Sequence, residues 1–372
     1  MAAGSVVFSA ADHAFMASAL RLAERGLNTT TPNPRVGSVI VKHGRIVGEG
    51  WHERPGEAHA EIIALRAAGD AARGATVYVT LEPCSHFGRT PPCAEALIAA
   101  GAARVVAAMG DPNPLVAGGG AEKLRAAGIA VDIGLMDSQA RELNIGFVSR
   151  MERGRPWMRT KIAASLDGKT ALANGVSQWI TGEDARRDGH RLRARSCAML
   201  TGGGTVAEDD PQLNVRMVET ARQPVRIVVD SRLETPPTAR ILQGGGTIIA
   251  TVSEDTEKIR RLRDAGADIM MLPKTGNGKV DLAVLAAELA RRGFNEVTVE
   301  AGGKLNASLM RAGLIDEIVL YVAPTLLGDK AQGMFPLPEL QSLEGRLQLD
   351  VREVRMVGQD MRVIARPKSG KN

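Results

Sequence analysis

Four side chains between residues 59 and 93 constrain this chain more than any other feature. His59 and Glu61 stand near the start of an alanine-rich segment with helical character. Cys84 directly follows a run of β-branched residues that predicts a buried strand, and Cys93 stands at the start of the next predicted helix. The four side chains therefore follow one another on a helix–strand–helix arrangement, each at the edge of its element.

This set of residues predicts a metal site of the catalytic type. One imidazole and two thiolates provide three ligands for a tetrahedral zinc ion (Zn2+), with the fourth position left for water. Such an open site is typical of catalytic zinc, because the metal can lower the pKa of that water towards neutrality. Glu61 is not needed as a ligand, so we expect it to carry a proton to a departing amine. The alternative is one buried histidine and two inert core cysteines.

The spacing partly matches the signature of zinc deaminases, in which H-x-E is followed by P-C-x-x-C. This chain has H-A-E and P-C, but eight residues, 85–92, separate Cys84 from Cys93 instead of two. The longer loop moves neither cysteine away from its secondary-structure element. The third cysteine, Cys197, lies in an apolar stretch, and we expect it to pack in the core.

The first 135 residues alternate β-branched runs with alanine-rich helical stretches, which predicts an α/β layer fold. Residues 36–41 and 45–50 flank a short turn and predict a β-hairpin. Further helices are predicted at Glu57 to Ala68, Cys93 to Ala100 and Gly120 to Ala127, and further strands at Ala75 to Leu81, Arg104 to Met109 and Ile129 to Ile133.

A polar stretch that ends in a proline, residues 150–156, predicts a domain boundary, with one domain at 1–152 and a second at 153–372. In the second domain, strands are predicted at Trp157 to Ala164, Ala198 to Thr201, Val225 to Val229, Thr247 to Val252, Glu296 to Val299 and Glu317 to Val322, with a helix at Asp281 to Arg292 and another at Lys304 to Arg311.

Two glycine turns in the second domain, at residues 202–204 and 302–303, each follow a predicted strand. Glycines at such a position allow the backbone to approach a phosphate closely. Neither turn has the G-x-G-x-x-G spacing of a Rossmann dehydrogenase, and each could be a simple connection.

Composition excludes several classes of function. Aromatic residues make up only 3% of the chain, too few for a protein that binds single strands by base stacking. A net charge of +5 over 372 residues makes the chain only weakly basic. No apolar run approaches the roughly 20 residues that span a bilayer, and residues 1–15 do not resemble a secretory signal. Three cysteines cannot form a disulfide framework, so a cytoplasmic protein is expected.

Several short motifs are distributed along the chain: TPNPRVG at 31–37, HAE at 59–61, LEPCSHFGRTPPC at 81–93, DPNP at 111–114, ASLDG at 164–168, SQWIT at 177–181, DDP at 209–211 and VEAGG at 299–303. Together they resemble the bifunctional deaminase/reductase family of riboflavin biosynthesis. The similarity extends from about residue 10 to about residue 365, and the long loop between the two cysteines is a feature of that family.

For the N-terminal half, the resemblance implies a cytidine-deaminase-like α/β domain. It would hydrolyse the ring 2-amino group of 2,5-diamino-6-(5-phosphoribosylamino)pyrimidin-4-one, giving the aminouracil and ammonia. His59, Cys84 and Cys93 match the family's zinc ligands, and Glu61 matches its proton carrier. Asn33 matches a loop that contacts the pyrimidine, although it could equally be a turn residue between two prolines.

For the C-terminal half, the resemblance implies a dihydrofolate-reductase-like α/β domain that uses NADPH to reduce the ribosyl group to a ribityl group. The positions that match NADPH contacts are Ala163, Trp179, Thr205, Asp209, Ser231, Gly302, Gly303, Lys304, Leu305 and Asn306. The positions that match substrate contacts are Ser177, Arg193, Leu213, Arg216 and Glu300.

Ordinary structural roles remain open for several of these residues. Arg193 and Arg216 suit a substrate phosphate, because a guanidinium group can form two parallel hydrogen bonds with it. They could also be solvated surface arginines, while Trp179 could be a core residue and Asp209 a cap ahead of Pro211.

The expected partner is a small phosphoribosylaminopyrimidine, with neither nucleic acid nor membrane, and the resemblance favours a homodimer formed through the reductase half. Two other functions stay open. One is a deaminase of nucleic-acid bases with an accessory nucleotide-binding domain. The other is a non-catalytic module with a structural zinc, which would have no need of Glu61 beside three ligands.

Overall fold

The computed structural model describes residues 7–85, 92–114 and 116–368, so most of the loop between Cys84 and Cys93 lies outside the described residues. The chain divides into two compact units, Met1–Gly154 and Arg155–Asn372. The boundary expected from the sequence, between residues 152 and 153, remains a proposal.

The first unit contains a five-stranded sheet in the order β2-β1-β3-β4-β5. The pairs β2-β1 and β1-β3 are antiparallel, whereas β3-β4 and β4-β5 are parallel. Its elements are α1 (Ala10–Glu24), β1 (Gly37–Lys42), β2 (Arg45–Trp51), α2 (Ala60–Ala68), β3 (Thr76–Val79), α3 (Cys93–Ala99), β4 (Arg104–Ala107), α4 (Gly119–Ala126), β5 (Ala130–Ile133), α5 (Asp137–Leu143) and α6 (Ile145–Arg153).

Glycines in the hairpin allow two helices to lie directly on its strands. A Cβ atom at Gly50 in β2 would stand 2.4 Å from the carbonyl oxygen of Ala60 and 2.6 Å from the backbone nitrogen of Ala64, both in α2. A Cβ atom at Gly37 in β1 would stand 2.0 Å from the carbonyl oxygen of Ala19 in α1. Only glycine tolerates such distances, so Gly50 allows α2 to lie against β2 and Gly37 allows α1 to lie against β1.

The second unit contains a nine-stranded sheet in the order β11-β10-β9-β8-β12-β6-β13-β16-β15, and a small sheet of β14 and β7. Its elements are β6 (Trp157–Ser165), β7 (Lys169–Ala171), α7 (Glu183–Arg195), β8 (Ala198–Gly202), α8 (Gly203–Asp209), β9 (Val225–Val229), β10 (Thr247–Thr251), α9 (Thr256–Asp264), β11 (Ala267–Met271), α10 (Leu282–Arg291), β12 (Glu296–Val299), α11 (Gly303–Arg311), β13 (Glu317–Ala323), β14 (Gln332–Gly333), β15 (Leu349–Val357) and β16 (Asp360–Pro367).

The seven strands from β11 to β13 are parallel, and β16 and β15 add an antiparallel hairpin at one edge. A parallel arrangement requires crossover connections, which the helices between these strands provide. The α/β class predicted from the sequence is therefore confirmed for both units.

A buried charge network ties neighbouring strands of this sheet together. Arg159 in β6 is 2% exposed and donates hydrogen bonds to Glu296 in β12 at 2.8 Å and to Glu317 in β13 at 3.0 Å. Arg195 also donates to Glu296, and Arg366 donates to Glu317. The paired charges satisfy each other in the sheet, where an unpaired charge would be costly.

Most predicted elements are present, with differences at their ends. The strands at 225–229 and 296–299 have the predicted bounds, whereas α2 begins at Ala60 instead of Glu57 and β3 ends at Val79 instead of Leu81. Cys197 is buried as expected and accepts hydrogen bonds from the backbone N–H groups of residues 295 and 296. Within the described part of the chain, no helix is both long and apolar enough to span a bilayer.

The close approach at Gly50 predicts a loss of stability on substitution. Gly50→Ala should lower the free energy of unfolding by about 1–3 kcal/mol, because the added methyl group would force α2 away from β2. Denaturant unfolding of Gly50→Ala and of a control variant measures this loss of stability. Gly276→Ala is the control, since a Cβ atom there meets nothing within 4 Å. Equal stability of the two variants would contradict the packing argument.

Candidate active sites

The four residues that dominate the sequence analysis converge at one place in the first unit. His59 directly precedes α2, Cys84 follows β3, and Cys93 is the first residue of α3. His59 Nδ1 lies 3.3 Å from Cys93 Sγ and 3.6 Å from Cys84 Sγ. The ligand atoms of all three residues lie within 4.8 Å of one another. The structure thus brings together the three predicted ligands.

These distances fit a zinc ion. With Zn–N near 2.0 Å and Zn–S near 2.3 Å, a tetrahedral ion separates a nitrogen ligand from a sulfur ligand by about 3.5 Å. The two observed His59-to-cysteine distances lie on either side of that value. One nitrogen and two sulfurs also form a donor set that zinc accepts readily. The residues present therefore fit the predicted metal.

Mutual hydrogen bonding shifts the pKa values of the ligand side chains. A hydrogen bond from Cys93, assisted by His59, lowers the pKa of the Cys84 thiol to about 4, whereas the bond with Cys84 and burial raise the pKa of Cys93. The hydrogen bond with Cys84 raises the pKa of His59. Cys84 is therefore the sulfur that ionises first.

Glu61 lies in the first turn of α2, beside these ligands but not among them. Glu61 is 4% exposed. Burial raises the pKa of the Glu61 carboxyl above its ordinary value. A buried carboxyl group next to a metal site is well placed to hold and release a proton during a reaction.

Asn33 is connected to the same site through His52, which the sequence analysis did not identify. The Asn33 amide nitrogen lies 3.0 Å from His52 Nε2, and the ring of His52 stands 5.4 Å from the ring of His59 at 80°. His52 is 3% exposed. A histidine directly after a strand and seven residues before H-A-E was the available signal for it.

Glu82 is a second residue that the sequence analysis missed. It lies two residues before Cys84 and is buried. Its carboxylate accepts hydrogen bonds from the backbone N–H groups of Asp111, Gly118 and Ala121. Glu82 therefore joins the segment that carries Cys84 to the DPNP segment and to the start of α4.

In the second unit, Arg193 and Glu300 form an ion pair in which each side chain is 14% exposed. Arg193 donates to both carboxylate oxygens of Glu300 at 2.7 and 2.8 Å, and to the Asn214 carbonyl at 3.0 Å. Burial alone would raise the pKa of Glu300, but the charges of Arg193 and Lys161 lower it to about 2. The guanidinium of Arg193 is thus already engaged by protein groups.

Other charged groups surround this pair. Burial lowers the pKa of Lys161, a residue that the sequence analysis did not identify, although the charge of Glu300 opposes the shift. Burial and the charges of Arg193 and Arg216 lower the pKa of His190 to about 4. Arg216 donates its backbone N–H to His190 Nδ1, and its side chain is exposed. The next predicted residue, Leu213, is buried and has a positive φ of 48°.

Ser177 and Asp209 lie together on the rim of a cavity of about 400 Å³ that residues 174–178, 208 and 209 line. Their side chains form a hydrogen bond of 3.4 Å. Trp179 is 66% exposed, and the Arg186 guanidinium lies 4.8 Å from the centre of its ring. The alternative that Trp179 is a core residue is therefore wrong.

The predicted cofactor positions include a contact between the two glycine turns. The backbone N–H of Gly302 donates to Thr205 Oγ1 at 3.0 Å. Gly302 precedes α11, in which Gly303, Lys304, Leu305 and Asn306 form the first turn. The buried Asn306 side chain bonds to Thr160 and to the carbonyl of residue 301. Ser231 accepts from the backbone of residue 280, and Ala163 lies on β6 opposite Tyr321 of β13.

Comparison with known proteins agrees with both halves of this description. Residues 9–109 match the sequence family described as the cytidine and deoxycytidylate deaminase zinc-binding region. Residues 156–363 match the RibD C-terminal domain. The riboflavin biosynthesis protein RibD of Escherichia coli (strain K12) is 51% identical over 367 residues, which cover 94% of this chain and 98% of that protein.

Solved structures of related proteins are similar to this chain over nearly its whole length. Acinetobacter baumannii RibD is 43% identical, with a TM-score of 0.89 over 96% of this chain and 99% of that one. The diaminohydroxyphosphoribosylaminopyrimidine deaminase/5-amino-6-(5-phosphoribosylamino)uracil reductase of Thermotoga maritima is 32% identical, with a TM-score of 0.86 and the same coverage. With a deaminase-type zinc site in one unit and a RibD C-terminal domain in the other, the chain belongs to the RibD family of riboflavin biosynthesis proteins.

Proposed function

We propose that this chain is a bifunctional enzyme of riboflavin biosynthesis. It hydrolyses 2,5-diamino-6-(5-phosphoribosylamino)pyrimidin-4-one to 5-amino-6-(5-phosphoribosylamino)uracil and then reduces this product with NADPH to 5-amino-6-(5-phosphoribitylamino)uracil. The observation that carries the proposal is the cluster of His59, Cys84 and Cys93 beside the buried Glu61, in a chain whose relatives match both units.

Deamination takes place in the first unit. His59 and the two cysteines would hold zinc, which when bound would supply the Lewis acidity that makes water nucleophilic near neutral pH. Glu61 carries a proton to the ring 2-amino group as the carbon–nitrogen bond breaks, so that the group leaves as ammonia. The ring carbon keeps an oxygen that comes from water. Asn33 binds an edge of the pyrimidine ring.

Reduction takes place in the second unit, which would bind NADPH as the source of hydride for the open-chain form of the ribosylamino group. The glycine turn at Gly302 and Gly303 and the hydroxyl of Thr205 face the cofactor. Arg216 binds the substrate phosphate, because its guanidinium is exposed. The guanidinium of Arg193 is occupied by Glu300, so Arg193 acts by holding that carboxylate in place.

A deaminase of nucleic-acid bases is not favoured. Relatives that match nearly the whole chain are named as riboflavin biosynthesis proteins. A nucleic-acid deaminase would also have no need of the reductase domain that this chain contains. We also propose that the chain binds no nucleic acid and works in the cytoplasm, where a reducing environment keeps the two cysteine ligands available for zinc.

We further propose a homodimer formed through β15. This strand is at the edge of the nine-stranded sheet and carries exposed apolar side chains, among them Val351 at 57%, Val354 at 56% and Met356 at 64%. The pairing with β16 shifts register between Val351 and Glu353, which keeps Leu349 and these three residues on one face. An exposed apolar edge strand is a surface that natural proteins cover.

One experiment tests the two-step function. Zinc-loaded protein is supplied with the diaminopyrimidine compound, with and without NADPH, and the products are identified by mass. We expect ammonia and the aminouracil without NADPH, and the ribitylamino compound with it. Release of no ammonia from this compound, together with deamination of an RNA hairpin, would favour the nucleic-acid alternative.

Glu61→Gln should lower the deamination rate by about 10²–10⁴-fold, because an amide cannot carry the proton. Zinc content and reduction of supplied aminouracil should stay unchanged. The control is Glu57→Gln, which alters an exposed carboxylate just before α2. If Glu61→Gln deaminated the compound at the full rate, Glu61 would have no role in the mechanism. That result would favour the alternative in which the zinc is structural.

Arg216→Ala should raise the KM of the reductase step by about tenfold, because a charge-assisted contact with the substrate phosphate is lost. Deamination should be unaffected. Arg191→Ala is the matched control, since this arginine is on the surface of α7 with a side chain 64% exposed. Equal losses in both activities would contradict the assignment of Arg216 to the reductase site.

Val354→Glu should convert the dimer to a monomer, because it places a charge in the centre of the apolar face of β15. Light scattering coupled to size-exclusion chromatography measures the mass. Val284→Glu, at a 38% exposed position on α10, should leave the dimer intact. A dimeric Val354→Glu variant would show that the interface lies elsewhere.

A further inference from the structure

His52 forms a bridge between the loop that carries Asn33 and the residue before His59. One ring nitrogen, Nδ1, lies 3.1 Å from the carbonyl oxygen of Ala58. The other, Nε2, lies 3.0 Å from the side-chain amide nitrogen of Asn33. His52 is 3% exposed, whereas Asn33 and Ala58 are partly exposed. A single buried side chain thus joins two segments of the first site.

The chemistry of the two contacts determines the proton position. A carbonyl oxygen can only accept a hydrogen bond, so His52 Nδ1 must carry the proton that it donates to Ala58. In a neutral ring the other nitrogen then has a lone pair and accepts. The NH₂ group of Asn33 is the donor that this lone pair requires. Both contacts therefore indicate the tautomer with a proton on Nδ1 and a lone pair on Nε2.

This tautomer also determines which way the Asn33 amide points. Its nitrogen is held by His52, so its oxygen is turned away from the ring. Among the described residues, no hydrogen bond is made to this oxygen. The His52 ring contacts the His59 ring at 5.4 Å, so the amide lies one side chain away from the proposed zinc ligand. Asn33 therefore offers an acceptor to the site.

We propose that His52 is a positioning residue for deamination: it holds the Asn33 amide so that its oxygen accepts a hydrogen bond from an N–H group of the pyrimidinone ring. This inference rests on the proposed function for the identity of the substrate. A diaminopyrimidinone has N–H donors on the ring and on its amino groups, so an oriented acceptor selects it over rings that present a lone pair at the same place.

The first test reads the tautomer directly and requires no substrate. Nitrogen-15 NMR of the zinc-loaded protein with labelled histidine distinguishes a protonated ring nitrogen from one with a lone pair. Of the six histidines in the chain, His52 is assigned by its absence from the spectrum of His52→Gln or of His52→Asn. We expect a proton on Nδ1 and a lone pair on Nε2. A proton on Nε2 would overturn the proposal, because Asn33 would then have to turn its oxygen towards the ring.

The second test compares two substitutions of His52. Asparagine retains a donor near the Nδ1 position but has no group near Nε2, whereas glutamine can place its oxygen near Nε2. His52→Asn should raise the deamination KM about tenfold, with kcat changed less than threefold, and His52→Gln should restore most of the loss. His43→Asn, in the exposed turn between β1 and β2, is the control and should match the wild type.

A double-mutant cycle distinguishes action through Asn33 from a general loss of structure. If His52 works by orienting Asn33, then His52→Asn should change the KM less than twofold in an Asn33→Ala background. The same tenfold effect in both backgrounds would refute the proposal. If the wild-type protein fails to deaminate the compound at all, the proposed substrate is wrong, while the NMR result still decides the tautomer.

Discussion

The convergence of one imidazole and two thiols is the constraint on which the first unit depends. His59 and Cys93 come from the starts of two helices, Cys84 comes from the segment after β3, and their ligand atoms lie within 4.8 Å of one another. That arrangement requires α2 to lie tightly on the hairpin, which the missing side chain of Gly50 permits. Packing of the sheet therefore determines the geometry of the metal site.

The two units differ in the chemistry that we propose for them. In the first, we propose that a fixed donor set and a buried carboxyl group, Glu61, act on a leaving amine. In the second, the hydride comes from a cofactor, so the chain contributes mainly orientation and charge. There the charges of Arg193 and Lys161 lower the pKa of the Glu300 carboxyl, while the exposed Arg216 is our proposed phosphate ligand.

The sequence predicted the parts that depend on residue type and local order. The ligand set follows from H-A-E and two cysteines, and the central strands from their β-branched runs. It did not specify α1, the helices α5 to α9, or the strands β7, β11 and β14 to β16. In β15 the alternation of apolar and polar residues is interrupted by the register shift between Val351 and Glu353. The partners of His52, Glu82 and Arg193 could not be predicted, because these contacts join segments from six to over a hundred residues apart. The roles of the individual reductase residues remain proposals.

X-ray absorption at the zinc edge tests the central claim most directly. The spectrum reports the number and type of atoms around the metal in the purified protein. The account predicts one zinc per chain, with two sulfur ligands near 2.3 Å and lighter nitrogen or oxygen ligands near 2.0 Å. Absence of stoichiometric zinc, or a shell without sulfur, would contradict it.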